Sequence, residues 1–166
     1  MAEPAVAITD LEQLKEGPAL ARLLDWNPGT VQGARFQYGE LNVYIDCAHI
    51  RDACSLLKND PELQFTFLSD ITCVDWYPSE PRFEVVYHLL AMARKKRLRL
   101  KVKLAGDDPH LESVTSVWRG ANFFEREIYD LFGVRFSGHP NLRRILMPED
   151  WEGHPLRKDY PVEGYR

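Results

Sequence analysis

Long apolar runs are missing from this sequence. No stretch approaches the ~18–20 consecutive apolar residues of a membrane-spanning helix, so any bilayer attachment is expected to come through partners. The start, Met1-Ala2-Glu3-Pro4, has neither the positive charge nor the apolar core of a secretory signal, so the chain is expected to stay where it is made. Cysteine is scarce: Cys47, Cys54 and Cys73 make no CxxC pair, no zinc knuckle and no CxxCxxC run for an iron–sulfur cluster. They are expected to be reduced and buried or half-buried, Cys47 and Cys73 in strand-like runs and Cys54 on a helix. No GxGxxG follows a strand and no GxxxxGK[ST] occurs, which removes any recognisable dinucleotide or nucleoside triphosphate site. There is no HExxH, and His49, His88, His110, His139 and His154 are scattered without ligand spacing. Positive charge is not in excess either. A net charge of −4 and a pI near 5.7 argue against a nucleic-acid partner, and the short run Arg94-Lys95-Lys96-Arg97 reads as a solvated hairpin tip.

What is present describes an ordinary globular protein. With 166 residues, 45% hydrophobic and 28% charged, the chain can bury a core in one domain. From Thr9 to Leu24, leucines at 11, 14, 20, 23 and 24 indicate a helical turn before Gly17-Pro18 and a helix after it, with Asp10 as a cap. Val31 to Tyr38 and Leu41 to Asp46 form a hairpin around Gly39-Glu40. A helix follows from His49 to Asn59, with Ile50, Ala53, Cys54 and Leu57 on one face, and Asp60-Pro61 ends it. Phe65 to Trp76 is apolar on both faces, which suggests a central strand. Phe83 to Ala93 and Leu98 to Leu104 form the clearest hairpin. In its second arm Leu98, Leu100, Val102 and Leu104 alternate with Arg99, Lys101 and Lys103, so one face meets the core and the other meets water or an acidic partner. A helix is expected from Asp108 or Pro109 to Val117, with Asp107 and Asp108 near its positive end. Another is expected from Gly120 to Phe132, striped by Phe124, Ile128, Leu131 and Phe132 and ended by Gly133. The order implies an α+β domain: a mixed, largely antiparallel sheet covered by helices.

The character changes after Gly133. Between Ser137 and Arg166, Pro140, Pro148, Pro155 and Pro161 break every period, yet the segment keeps Leu142, Ile145, Leu146, Met147, Trp151, Leu156, Tyr160 and Tyr165. That is too apolar for a merely solvated tail. The organisation read from this is a globular domain, 1–136, and an extended C-terminal arm, 137–166, that lies along a partner rather than back on its own domain.

Polar chemistry concentrates beside that boundary. Glu125-Arg126-Glu127 and Asp130 read as a charged helix face, with Arg126 and Asp130 spaced to pair. Glu127 and Asp130 are close enough to be considered as an acid/base pair in a self-contained enzyme. Arg135, Arg143, Arg144, Arg157 and Lys158 supply complementary charge for these carboxylates or for acids on a partner. His139-Pro140 and His154-Pro155 are expected to hydrogen-bond backbone.

At these residues the sequence resembles a known family. The run Glu125-Arg126-Glu127-Ile128-Tyr129-Asp130-Leu131-Phe132-Gly133-Val134, then His139-Pro140-Asn141-Leu142-Arg143-Arg144-Ile145-Leu146, is similar to the diagnostic motif of the 30-kDa subunit of respiratory NADH dehydrogenase (complex I). Trp151-Glu152-Gly153-His154-Pro155-Leu156-Arg157-Lys158-Asp159-Tyr160-Pro161 resembles the same family's C-terminal block. The resemblance implies a non-catalytic subunit of the hydrophilic arm of a proton-translocating NADH:quinone oxidoreductase, supporting electron transfer from NADH to quinone. It implies no cofactor in this chain, with FMN, iron–sulfur clusters and quinone in partner subunits. It implies docking on the large hydrogenase-like subunit that forms the quinone cavity, beside other hydrophilic-arm subunits, at the cytoplasmic side of the bacterial inner membrane. The implied interface residues are Glu125, Arg126, Glu127, Asp130, His139, Arg143, Arg144, His154, Pro155, Leu156, Arg157, Lys158, Asp159 and Tyr160. The alternative is the equivalent subunit of a membrane-bound hydrogenase or formate hydrogenlyase complex.

Overall fold

The alternating run at Leu98 to Leu104 becomes the middle of a sheet. In the computed structural model, which describes residues 8–14 and 17–164, helices are α1 (Leu11–Leu14), α2 (Pro18–Trp26), α3 (Ile50–Asn59) and α4 (Ala121–Phe132). Strands are β1 (Val31–Gln37), β2 (Glu40–Ile45), β3 (Phe67–Asp75), β4 (Phe83–Ala91), β5 (Lys96–Leu104), β6 (His110–Glu112) and β7 (Arg135–Ser137). The large sheet has the order β1-β2-β5-β4-β3, antiparallel except where β2 runs parallel to β5. The fold is α+β with a largely antiparallel sheet, as the residue pattern implies.

Register explains the core. Val43, Leu100, Tyr87 and Ile71 lie on one row across β2, β5, β4 and β3, and all four are buried. Because side chains alternate along a strand, the neighbouring positions form the other face. There Arg99 lies 2.6 Å from Glu40 and Lys101 2.8 Å from Glu84, so the acids that meet this basic stripe come from the chain itself. Helix α3 buries Ile50, Ala53, Cys54 and Leu57, the four residues its spacing selects, and α2 adds Leu20 and Leu23. The Glu12 N–H donates to Asp10 Oδ1 at 2.9 Å, the cap expected there.

Three expectations are overturned. β3 is an edge strand, not a central one. Its outer-face Phe67 and Val74 are exposed, and a register shift between Leu68 and Asp70 marks a bulge, a common edge feature. β-branched and aromatic composition reports that a strand forms, not where it lies. Second, no helix spans Pro109 to Val117. β6 pairs there with β7 in a parallel two-stranded sheet, Leu111 opposite Phe136, and the threefold spacing of Leu111, Val114 and Val117 comes from a strand followed by turns. Third, Cys47 opens a 3-10 turn and is exposed, while Cys54 is buried and Cys73 half-buried.

Residues 138–164 contain neither helix nor strand. Rather than reaching away, they return to α4 and the β3–β4 end of the sheet. Tyr165 and Arg166, like Met1 to Ala7, lie outside the described residues.

Candidate docking site

Helix α4 is built on a stripe that includes a carboxylate. Ala121, Glu125, Ile128 and Phe132 recur at spacings of four, three and four, and all are buried. Glu125 is 0% exposed, so it belongs to the inner stripe and not to the expected charged face. Its Oε2 lies 2.6 Å from Ser113 Oγ, and its Oε1 accepts the Val114 N–H at 2.7 Å. Burial drives its pKa up to about 7, against which these two hydrogen bonds work only partly. The folded chain therefore holds a proton that the unfolded chain releases near pH 4.5. The stability this confers is complete below that pH and is lost as pH rises through 7. Glu125→Gln keeps the shape without the ionisation. It is expected to abolish a pH-dependent loss of about 3 kcal/mol between pH 4.5 and 8. Urea titrations across that range check this, and parallel curves for the two proteins would sink it.

Asp130, also 0% exposed, organises the segment that follows. Its Oδ2 accepts the N–H groups of Ile145, Leu146 and Met147 at 2.9, 2.8 and 2.9 Å, and its Oδ1 takes Arg144 Nη1 at 2.6 Å. Burial alone would raise its pKa, but the Met147 N–H, the Arg144 guanidinium and the other two N–H groups outweigh it and hold it below the usual carboxylate range. Arg126 does not pair with Asp130. It donates to the carbonyls of Arg143 and Arg144 at 3.1 and 2.9 Å. Glu127 is exposed and makes no ion pair among the described residues, whereas both oxygens of Asp130 are taken by residues 144–147.

The end of α4 is closed by the same segment. A helix leaves its last carbonyls without internal partners, and cations suit that negative end. Here Asp130 O receives Arg144 Nη1 at 3.1 Å and lies 2.9 Å from His154 Nδ1. Leu131 O takes the Leu156 N–H at 3.1 Å, and Phe132 O takes Arg157 Nε at 2.6 Å. Gly133 makes this approach possible: its φ of 77° is left-handed, and a Cβ there would meet His154 Nε2 at 2.5 Å and Arg157 Nη2 at 2.6 Å. Arg144 Nη2 also donates to Trp151 O and Gly153 O at 2.8 and 3.0 Å. His139 sits between Asn122 O and the Asn141 N–H, which assigns it the neutral form protonated on Nε2. Burial lowers the pKa of both His139 and His154.

A second clamp holds the far end. Arg82 forks between two carboxylates, reaching Asp75 at 2.9 and 2.8 Å and Asp159 at 2.9 and 2.6 Å. Asp75 further accepts the N–H groups of Lys158 and Tyr77, both at 2.9 Å. Burial would raise the Asp75 pKa, but these donors bring it down to about 2. The Arg82 guanidinium lies 4.9 and 5.0 Å from the ring centroids of Tyr77 and Phe83, and Arg157 lies 5.3 Å over Phe83. Asp75 and Arg82 are not among the residues that the sequence singles out. A charged residue on the inward phase of β3 is the available signal for Asp75, and nothing local marks Arg82.

The result is an inverted packing. Polar groups of 139–160 point inward to α4 and β3. Leu142 and Met147 pack on the core, while Ile145, Leu146, Trp151 and Leu156 stay exposed, Leu146 at 60% and Leu156 at 52%. Of the sequence-selected residues, Glu127, Arg143, Leu156, Lys158 and Asp159 are at the surface. Arg126, His139, Arg144, His154, Pro155, Arg157 and Tyr160 are half-buried, and Glu125 and Asp130 face inward. In those last two, burial places the carboxylates on the chain's own N–H, hydroxyl and guanidinium groups.

The family described as respiratory-chain NADH dehydrogenase, 30 Kd subunit, matches residues 43–166. The chain belongs to that family. The C subunit of NADH-quinone oxidoreductase from Roseiflexus sp. (strain RS-1) is 48% identical over 149 residues, covering 90% of this chain and 86% of the relative. A C-type subunit of the same oxidoreductase from Rhizobium meliloti (strain 1021) is 49% identical over 138 residues, 83% and 75% of the two chains. Among solved structures, the trypsin-resistant fragment (1-134) of Nqo5 has a TM-score of 0.57 at 36% identity, covering 63% of this chain and 83% of that one. A chain of the membrane-bound sulfane sulfur reductase, an archaeal respiratory membrane complex, has a TM-score of 0.72 at 25% identity over 89% of this chain and 86% of its own. Both motif blocks of this 30-kDa subunit family member fall inside the matched range; they supply the α4 clamp, and the second block supplies the Lys158 and Asp159 side of the Arg82 clamp. Among the described residues, no group of three or more His, Cys, Asp or Glu is placed to hold a metal ion, and no helix is long and apolar enough to cross a membrane.

Proposed function

We propose that this chain is a cofactor-free structural subunit of a proton-translocating NADH:quinone oxidoreductase. Its exposed ridge of Ile145, Leu146, Trp151 and Leu156 docks on the large hydrogenase-like subunit that forms the quinone cavity. The observation that carries this reading is the inverted packing of 139–160: the segment is fixed by polar groups beneath and offers apolar side chains above. A surface of that kind is stabilised when another protein covers it. The relatives' names supply the kind of complex. In this reading the subunit works peripherally at the cytoplasmic side of a bacterial inner membrane, beside other hydrophilic-arm subunits. FMN, iron–sulfur clusters and quinone sit in its partners, and the subunit supports electron flow from NADH to quinone by holding those partners together. The isolated chain performs no catalysis.

Leu146→Asp combined with Leu156→Asp tests the ridge. Both side chains are largely exposed, so the isolated chain is expected to keep its stability within ~0.5 kcal/mol. Complex recovered by affinity purification of the variant is expected to lose the large subunit. Full recovery of the complex, with trypsin still cutting at Arg143 and Arg157 within it, would show that the ridge is not a docking surface.

The likeness to the sulfane sulfur reductase complex favours a second reading, an equivalent subunit of another membrane-bound redox complex such as a hydrogenase or formate hydrogenlyase. Turnover assays of the purified native complex with NADH, hydrogen and sulfane sulfur separate the two.

A further inference from the structure

We propose that a groove at the opposite end of the sheet is a second docking surface, one that receives a protein segment carrying carboxylates beside apolar side chains. The groove, about 720 Å³, lies between the β1–β2 turn, the β4–β5 turn and the loop that follows α3. Its floor is Leu41, Leu63, Phe65 and Leu98, and exposed Phe36 and Tyr38 stand on one wall. Its rim is Arg94, Lys95, Lys96 and Arg97.

The charge balance of this rim identifies the occupant. Among the described residues two carboxylates line the groove, and both already have partners. Glu40 lies 2.6 Å from Arg99 and 3.8 Å from Arg97, and Glu62 lies 3.7 Å from Arg22. Arg94 donates to Pro61 O at 3.3 Å. The side chains of Lys95 and Lys96 have no hydrogen bond or ion pair among the described residues, so the uncompensated charge beside the apolar floor is positive. The chain as a whole carries −4, so this is a local concentration and not the overflow of a basic protein. Complementary charge at a rim steers association and fixes register, while the apolar floor gives a segment something to bury. Nucleic acid suits the site poorly, since Glu40 and Glu62 would repel its phosphates.

The position gives the proposal its consequence. β4 begins at Phe83, next to the Arg82 clamp on the C-terminal segment, and ends at Ala91, next to the basic turn. At ~3.3 Å per residue, the strand separates the two ends by about 30 Å. The ridge and the groove therefore address different neighbours, and the subunit bridges them. This inference stands on its own observations. If it fails, docking through Leu146 and Leu156 is untouched.

The test uses the native complex. Lysine acetylation followed by mass spectrometry compares Lys95 and Lys96 in the complex with the same residues in the free full chain. Their reactivity is expected to fall by about an order of magnitude on assembly, as each ammonium is paired with a carboxylate and covered by the docked segment. A zero-length carboxyl-to-amine cross-linker is expected to join one of them to an Asp or Glu of another subunit. Lys95→Glu with Lys96→Glu is expected to weaken retention of that subunit while leaving the ridge-bound one in place. Equal reactivity in complex and free chain overturns the proposal. So does protection without any carboxylate cross-link, or protection removed by nuclease or by stripping lipid.

Discussion

Asp130→Ala is expected to cost about 3 kcal/mol and to lower Tm by roughly 6–12 °C, with the C-terminal segment losing its place on α4. The size follows from what one carboxylate holds: three consecutive N–H groups on Oδ2 and a guanidinium on Oδ1. Without it four donors lose their acceptor, and Arg144, whose side chain is only 14% exposed, keeps an uncompensated charge. The half-buried setting lets water reach some of these groups, which keeps the cost at the lower end of that for a sealed ion pair. Asp130→Asn retains one carbonyl oxygen and should fall between the two. Thermal unfolding of the full chain measures the first effect. Trypsin cleavage after Arg143, Arg144, Arg157 and Lys158 measures the second and is expected to accelerate. An unchanged Tm together with an unchanged digest would remove Asp130 from this role.

Arg82→Met should be the other large effect, at about 3–5 kcal/mol, since it strips the cation from two carboxylates while Asp75 remains buried. Its signature is in the pH dependence. In the wild type the Asp75 pKa is about 2, below the 3.8 of a free aspartate. Its contribution of about 2 kcal/mol is therefore present above pH 4 and lost as pH falls towards 2. In Arg82→Met burial acts with less opposition and moves that pKa upward. The acid loss then weakens, or reverses so that acidification stabilises the variant. Adding Asp75→Asn should recover part of the stability, because it removes the buried charge while the amide oxygen still accepts one of the Lys158 and Tyr77 N–H groups, which sit on different oxygens of Asp75. Denaturant titrations of the four proteins between pH 2 and 7 give the coupling. Additive costs and unchanged acid slopes would mean that the Arg82 fork contributes little.

Much of the fold is legible in the sequence because burial imposes periods. The alternation at Leu98 to Leu104 marks the inner face of β5, and the spacing of Ile50, Ala53, Cys54 and Leu57 marks the inner face of α3. The place of β3 is not legible, because its composition is local while its position at the edge depends on β4 and β5 pairing with each other. β6 resembles helix because three apolar residues at threefold spacing fit either structure, and its partner β7 lies far along the chain. The site is legible as a location more than as an arrangement. Charge type alone puts Glu125 and Asp130 at the surface, although Glu125 shares the apolar stripe with Ala121 and Ile128. The direction of the C-terminal segment is hidden for a different reason. Most of the groups that direct it are backbone carbonyls and N–H groups, which every sequence has and no residue letter marks.

The closing of α4 by Arg144, His154, Leu156 and Arg157 makes the place of the C-terminal segment conditional on the rest of the fold. Those residues have nothing to bind until the helix has formed and Gly133 has turned the chain, and Lys158 and Asp159 have nothing to bind until β3 and β4 are paired. The exposed placement of Ile145, Leu146, Trp151 and Leu156 therefore depends on a formed α4 and a paired β3 and β4. A copy with a frayed helix or an unformed hairpin would carry the same sequence without the same surface. Recruitment through that ridge would act as an inspection step, admitting to the larger assembly only subunits whose interior is already correct.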